Sequence, residues 1–166
     1  MVTERWDGCY NGGWQGLIMP EAFSHPAKFA HGLIIRIFAE LALPKGSILV
    51  DPFAGVGLGG IIAASHGLRW YGCELEPRFV DLARQSFEMH RTAWERMNYP
   101  LPIIVQGDSR RLREHLAPVL ADCVVGSPPY SEGLTQGGGQ RENEEHTGAG
   151  GPIRPRTYGA TPGQIG

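Results

Sequence analysis

Three acids and one proline-paired turn carry the chemistry open to this chain: Asp51, Glu74, Asp108 and the run Ser127-Pro128-Pro129-Tyr130. Asp51 closes the apolar run SILV, and glycines follow at 55, 57 and 60. The spacing G-x-G-x-x-G reads as a dinucleotide fingerprint, and Glu74 and Glu76 stand where a ribose-binding acid is expected. Such glycines admit a ligand close to the main chain, whatever the ligand is. Asp51 sets the sign of its charge. A pyrophosphate on the turn and helix start faces that carboxylate, and at 4 Å with an effective dielectric near 20 the repulsion is about 4 kcal/mol. S-adenosylmethionine, with its sulfonium and ammonium groups, reverses the sign. Glu74 can accept from two ribose hydroxyls, and Asp108 from an adenine amino group. Taken singly, each acid reads equally as a solvated or helix-capping carboxylate, with Glu76 before Pro77 the better capping candidate. Taken together, at three successive strand ends, they point to a nucleoside ligand.

The turn at 127–130 adds a second substrate. Two prolines stiffen it and remove two main-chain donors. What remains is acceptor-rich: the Ser127 hydroxyl and the carbonyls of Ser127 and Pro128. That set suits a neutral amino group, which presents two hydrogens. Tyr130 offers a flat face to an unstacked base. The plainer alternative is a Pro-Pro loop with a half-buried tyrosine.

These residues need a scaffold, and strand and helix patterns alternate to supply one. A helix is expected from Pro26, with Ala27, Ala30, Ile34, Ile37, Phe38 and Leu41 at helical spacing and a stop at Pro44 and Lys45-Gly46. SILV is a short buried strand, and Gly57 to Ser65 opens a helix from the glycine turn. LRWYGCELE (68–76) is a second strand. Pro77 then suits the first turn of a helix whose stripe is Phe79, Ala83, Phe87, His90, Trp94 and Met97. PIIVQGD (102–108), a short helix over Arg110–His115, and DCVVGSPPY (122–130) complete the series. The pattern predicts an α/β fold: a Rossmann-like, doubly wound parallel sheet, incomplete at about four strands in the order 3-2-1-4, with a preceding N-terminal helix. In such sheets ligands lie beyond the carboxyl ends of the strands, where the acids and the Ser127 turn fall. Residues 1–24 read as an irregular segment whose Trp6, Tyr10 and Trp14 either stack on a base or cover the core edge. Residues 25–130 read as a partial catalytic domain. Residues 131–166, rich in glycine and proline, read as a flexible tail or loop.

DPFAGVG and SPPY resemble the cofactor loop and catalytic motif of the S-adenosylmethionine-dependent DNA amino-methyltransferases. HPAKF, residues 25–29, resembles the segment that meets the methionine end of the cofactor in that family. The resemblance covers residues 25–130. It implies S-adenosylmethionine as cofactor, held by Lys28, Phe29, Asp51, Phe53, Ala54, Gly55 and Gly57, with Glu74 on the ribose and Asp108 on the adenine. It implies catalysis by Ser127, Pro128, Pro129 and Tyr130 on a flipped base of DNA. The serine-first motif favours N4 of cytosine over N6 of adenine. Acceptors at Ser127 and Pro128 draw the amino nitrogen toward sp³ geometry, so that orientation and preorganised electrostatics supply most of the catalysis. The lack of a cysteine beside the prolines disfavours methylation of cytosine C5. The family has more strands than the four read here, so the chain reads as a truncated or split enzyme from a restriction-modification system or a mobile element. A second chain could then be the partner that completes the sheet.

The remaining features set bounds. At 166 residues the chain is long enough for one domain with a core. A formal charge of -2 provides no electrostatic argument for nucleic acid. Cys9, Cys73 and Cys123 are isolated, which suits free thiols and a cytoplasmic location. No apolar run suggests a membrane span and no leader suggests secretion. Histidines 25, 31, 66, 90, 115 and 146 have no metal-like spacing, so no metal is expected. The competing readings are an RNA or protein-glutamine methyltransferase, an NAD-dependent oxidoreductase, and a non-catalytic half that needs a partner chain.

Overall fold

The computed structural model describes residues 5–10, 12–25, 28–128 and 161–162. A 3-10 turn at Pro20–Ser24 precedes α1 (His31–Leu41), β1 (Ile48–Asp51), α2 (Leu58–Ser65), β2 (Arg69–Glu74) and α3 (Pro77–Arg96). Then follow β3 (Ile103–Gln106), a 3-10 turn at Ser109–Arg111, α4 (Leu112–Leu116) and β4 (Cys123–Val124). The four strands form one parallel sheet in the order β3-β2-β1-β4, as the alternating pattern predicts. β1 lies inside the sheet, and its last three residues are buried. Asp51 is level with Gly72 on β2, and Glu74 is level with Gln106 on β3. The register therefore brings the strand-end acids to one edge.

α2 is apolar all round, and Leu58 through Ala64 are buried, as befits a helix covered on every side. The α3 stripe packs through Phe79, Ala83, Phe87 and Trp94, with Val80 and Ser86 buried beside them. Met97, expected in that stripe, is half exposed, because it follows the last helical residue and caps the end.

Two expected boundaries move. α1 starts at His31, not near Pro26, because Ala30 is extended and the Phe29 carbonyl accepts from Trp14 Nε1 at 2.9 Å instead of serving a helical turn. The helix ends with Ala42 in the left-handed region, its N–H donating to Phe38 O, before Pro44 is reached. The fourth strand, expected within 122–130 and ending in a loop, pairs with β1 at Cys123 and Val124. Gly126 lies so close to Asp51 and Pro52 that a Cβ there would stand 2.9 Å from Asp51 Oδ1.

The N-terminal residues pack into this core. Trp14, Ile18 and Ala22 belong to the main apolar cluster, while Trp6 and Tyr10 are exposed. Met19 N donates to Ser86 Oγ at 3.0 Å, and His90 Nε2 bonds the Leu17 carbonyl at 2.7 Å, so α3 holds the segment down.

Candidate cofactor cleft

The cleft is assembled beyond the carboxyl ends of β1, β2 and β3. Asp51 lines it from the end of β1, Phe53, Ala54 and Gly55 from the turn that follows, Glu74 from the end of β2, and Asp108 from the loop after β3. Lys28 and Phe29 reach it from before α1, and Ser127 from beyond β4. Residues far apart along the chain thus share one concavity. Pro128 is exposed and does not line it. Pro129 and Tyr130, together with residues 131–160 and 163–166 of the expected tail, lie outside the described residues.

The loop's shape comes from main-chain turns and two carboxylates. Asp51 Oδ1 accepts from Phe53 N at 2.9 Å, closing the turn at Pro52. Glu74 Oε2 accepts from Gly55 N at 2.8 Å, and its Oε1 accepts from Glu76 N at 2.8 Å. One side chain therefore fixes both the glycine loop and the entry to α3. Each oxygen keeps acceptor capacity toward the cleft. Burial is the main cause of the raised Glu74 pKa, against which the two N–H donors act.

Asp51 is 2% exposed. Burial pushes its carboxyl up to about 7, and the nearby Glu74 charge adds to the rise. The side chain is therefore near half-protonation at neutral pH, and an adjacent cation favours the ionised form. Asp108 differs. Its carboxylate pairs with the Arg110 guanidinium and accepts from Arg110 N at 2.9 Å, capping the 3-10 turn. The Arg110 side chain holds its pKa down at about 2. Asp108 is thus the capping acid that the sequence argument assigned to Glu76. Glu76 makes no cap bond at α3; its buried carboxylate accepts instead from Thr161 N at 3.0 Å.

The three glycines of the fingerprint do different things. Gly55 faces His25, whose Nε2 would stand 3.0 Å from a Cβ at that position. Gly57 does not line the cleft; it begins α2 with its α-carbon against Phe87 and Ala83 of α3. Gly60 is a packing glycine, with Trp70 Cε3 and Phe87 Cζ at 2.9 and 3.0 Å from a Cβ there. Gly60, which completes the dinucleotide spacing, thus serves helix packing rather than the ligand.

Reading the residues singly missed His25. It is buried, covers Gly55 and meets the Phe79 ring edge-on at 4.3 Å. The only sequence signal for it was its place at the head of HPAKF. Lys28 lines the cleft, but its ammonium donates to the Phe23 and His25 carbonyls, which fixes this segment in place. The lining holds four acids, Asp51, Glu74, Glu76 and Asp108, against one lysine. That balance suits a cationic ligand and opposes a pyrophosphate. Among the described residues no cluster of His, Cys, Asp or Glu could hold a metal ion, and no helix is long and apolar enough to cross a membrane.

A four-stranded parallel sheet in this order, with a glycine turn after its first strand, defines a Rossmann-like α/β fold. The structure of TrmN from Thermus thermophilus superposes with a TM-score of 0.55 at 21% identity, over 71% of this chain and 33% of that one. Residues 5–85 match the family described as DNA methylase, the N6/N4 type, so the resemblance to the DNA amino-methyltransferases holds over that stretch. The Type II methyltransferase M.BglII of Bacillus subtilis is 34% identical over 61 residues, 37% of this chain and 17% of that protein. The Type II methyltransferase M2.DpnII of Streptococcus pneumoniae is 31% identical over 67 residues, 40% of this chain and 25% of that protein. The chain thus matches a quarter or less of the length of these relatives. S-adenosylmethionine is the cofactor that this family match and the acidic cleft support.

Glutamine at position 74 tests the carboxylate's hold on the loop. Glu74 receives an N–H on each oxygen, so the glutamine side chain must turn its amide donor toward one of them. Loss of a bond to a charged acceptor is worth about 1.5–3 kcal/mol, so Glu74→Gln should bind S-adenosylhomocysteine roughly 10- to 100-fold more weakly. Titration calorimetry reads this directly, and unchanged affinity would mean that the loop stands without Glu74.

Proposed function

We propose that the chain carries the cofactor-binding and catalytic part of a methyltransferase acting on an exocyclic amino group of a DNA base, N4 of cytosine in preference to N6 of adenine. The observation that carries this reading is the single cleft shared by Asp51, Gly55, Glu74 and Ser127. When bound, S-adenosylmethionine supplies an electrophilic methyl group. Asp51 would attract its ammonium, the Gly55 loop would admit it close to the main chain, Glu74 would accept from the ribose hydroxyls, and Asp108 would accept from the adenine. The Ser127 hydroxyl and the carbonyls of Ser127 and Pro128 accept the two hydrogens of the target amine and turn its lone pair toward the methyl. Tyr130 stacks on the flipped base. No covalent enzyme nucleophile takes part. In this reading residues 25–130 are the working unit and residues 131–166 a tail or loop.

Incubation with labelled S-adenosylmethionine and mixed-sequence DNA, followed by digestion to nucleosides, tests the proposal. Label in N4-methylcytosine is expected. Label in N6-methyladenine would refute the preference for cytosine, and label in RNA or protein alone would refute DNA as the substrate. Ser127→Ala and Tyr130→Ala should lower turnover by a factor of about 100 or more while S-adenosylhomocysteine affinity stays within a few-fold. Equal loss of both would make the turn a structural element.

A second chain completing the sheet remains part of the proposal. Among the described residues β4 pairs only with β1, and Val124 is 60% exposed, which leaves an edge open to pairing. Sedimentation across a concentration range checks it, and a monomer at every concentration would count against it.

A further inference from the structure

Thr161 meets the cleft from far along the chain, and the proposed function gives it no role. Its N–H donates to Glu76 Oε1 at 3.0 Å, across 85 residues. Glu76 is 6% exposed and lines the cleft. A carboxylate so deeply placed is costly unless donors reach it, and Glu76 makes no cap bond at α3. The bonding continues inward. Glu76 N donates to Glu74 Oε1 at 2.8 Å, and Glu74 Oε2 accepts from Gly55 N at 2.8 Å. Three bonds therefore run from Thr161 through Glu76 and Glu74 to the glycine turn. Ser127, before the stretch that leads to Thr161, lines the same cleft. The chain thus leaves this cleft and comes back to it, and Thr161 is half-buried on its return.

We propose that Thr161 is a positioning residue for the cofactor cleft: its main-chain N–H fixes the Glu76 carboxylate and, through Glu74, the Gly55 turn. A fixed side chain holds the Glu76 main chain in one orientation and so aims its N–H at Glu74. The role belongs to the main chain of Thr161, not to its hydroxyl. Docking of Thr161 and binding of the cofactor are then coupled, and such coupling is reciprocal. Docked Thr161 tightens the cofactor, and bound cofactor holds Thr161 on Glu76. The working unit accordingly extends past residue 130 to a point in the expected tail. That the ligand is S-adenosylmethionine rests on the proposed function; the relay from Thr161 to Gly55 does not.

The experiment compares amide hydrogen exchange in the full chain without ligand and calorimetry with S-adenosylhomocysteine. Thr161→Pro removes the N–H, and Thr161→Ala keeps it. In Thr161→Pro the Gly55 amide should exchange about five-fold faster or more, while amides within β2 and α2 stay as in the wild type. S-adenosylhomocysteine should bind about five-fold more weakly or more. Thr161→Ala should match the wild type in both measurements. Glu76→Ala removes the acceptor, so Thr161→Pro added to it should cause no further loss. Additive losses, an equal effect of Thr161→Ala, unchanged Gly55 exchange in Thr161→Pro, or unchanged affinity where the wild type binds each overturn the proposal. If Glu76→Ala fails to fold, the two substitutions at 161 still decide. Faster Gly55 exchange in Thr161→Pro, with no S-adenosylhomocysteine binding even by the wild type, supports the relay and removes the cofactor reading alone.

Discussion

Asp51→Asn is expected to make the protein more stable than the wild type at pH 8 while weakening its hold on the cofactor. The folded chain keeps a proton on Asp51 up to about pH 7, whereas an exposed aspartate loses it near 3.8. Between those values the folded state binds more protons than the unfolded one, so stability falls as pH rises. The contribution is fully present below about pH 4 and is lost through pH 7. A displacement of about three pH units corresponds to a loss on the order of 4 kcal/mol. The asparagine side chain retains an acceptor for Phe53 N and carries no proton to lose. The variant should therefore show only the shallower decline left by Glu74, whose carboxyl is displaced in the same direction. Urea titrations at pH 5 and pH 8 check this, and an unchanged pH slope in Asp51→Asn would sink it. The same ionisation couples to binding. A cationic ligand draws Asp51 into its charged form, so wild-type affinity for S-adenosylhomocysteine, which retains the ammonium, should rise between pH 6 and pH 8. That rise should vanish in the variant.

The second large effect is purely structural. Gly57 has φ +77°, a conformation that costs an alanine about 1–2 kcal/mol. A Cβ there would also stand 2.6 Å from Phe87 Cζ and 3.0 Å from the Ala83 Cβ. Overpacking of that kind adds about 1–3 kcal/mol. Gly57→Ala should therefore lose roughly 2–5 kcal/mol, a large part of the stability of a small domain. The two costs separate in a double-mutant cycle. Phe87→Leu removes the rim of the ring, so the second substitution should recover the packing part and leave the backbone part. Additive losses would show that Phe87 is not the obstacle. Either way, the effect reaches the cofactor loop through α3 and not through a contact with the ligand.

Element order and sheet order were legible because both rest on local signals. Short apolar runs bounded by Pro and Gly mark the strands, helical spacing marks α1 and α3, and right-handed crossovers leave few ways to arrange four parallel strands. The strand-end acids were legible for the same reason, since a parallel sheet places all its carboxyl ends on one side. The expectation of a cationic ligand rested on Asp51 alone. Helix starts were less legible. The delayed start of α1 depends on a bond from Trp14 to the Phe29 carbonyl, across 15 residues, which no local pattern contains.

What the tertiary structure alone decided is the division of labour among residues of one type. Sequence cannot distinguish a carboxylate that holds a loop from one that caps a turn. Only packing shows Glu74 accepting from Gly55 and Glu76, Asp108 paired to Arg110, and Asp51 buried with its carboxyl raised. The same holds for the glycines. Their spacing said that the main chain must be approached closely; the fold shows His25 approaching Gly55 and α3 approaching Gly57 and Gly60. A motif records residue type along the chain, whereas burial and bonding depend on what the rest of the chain brings against it.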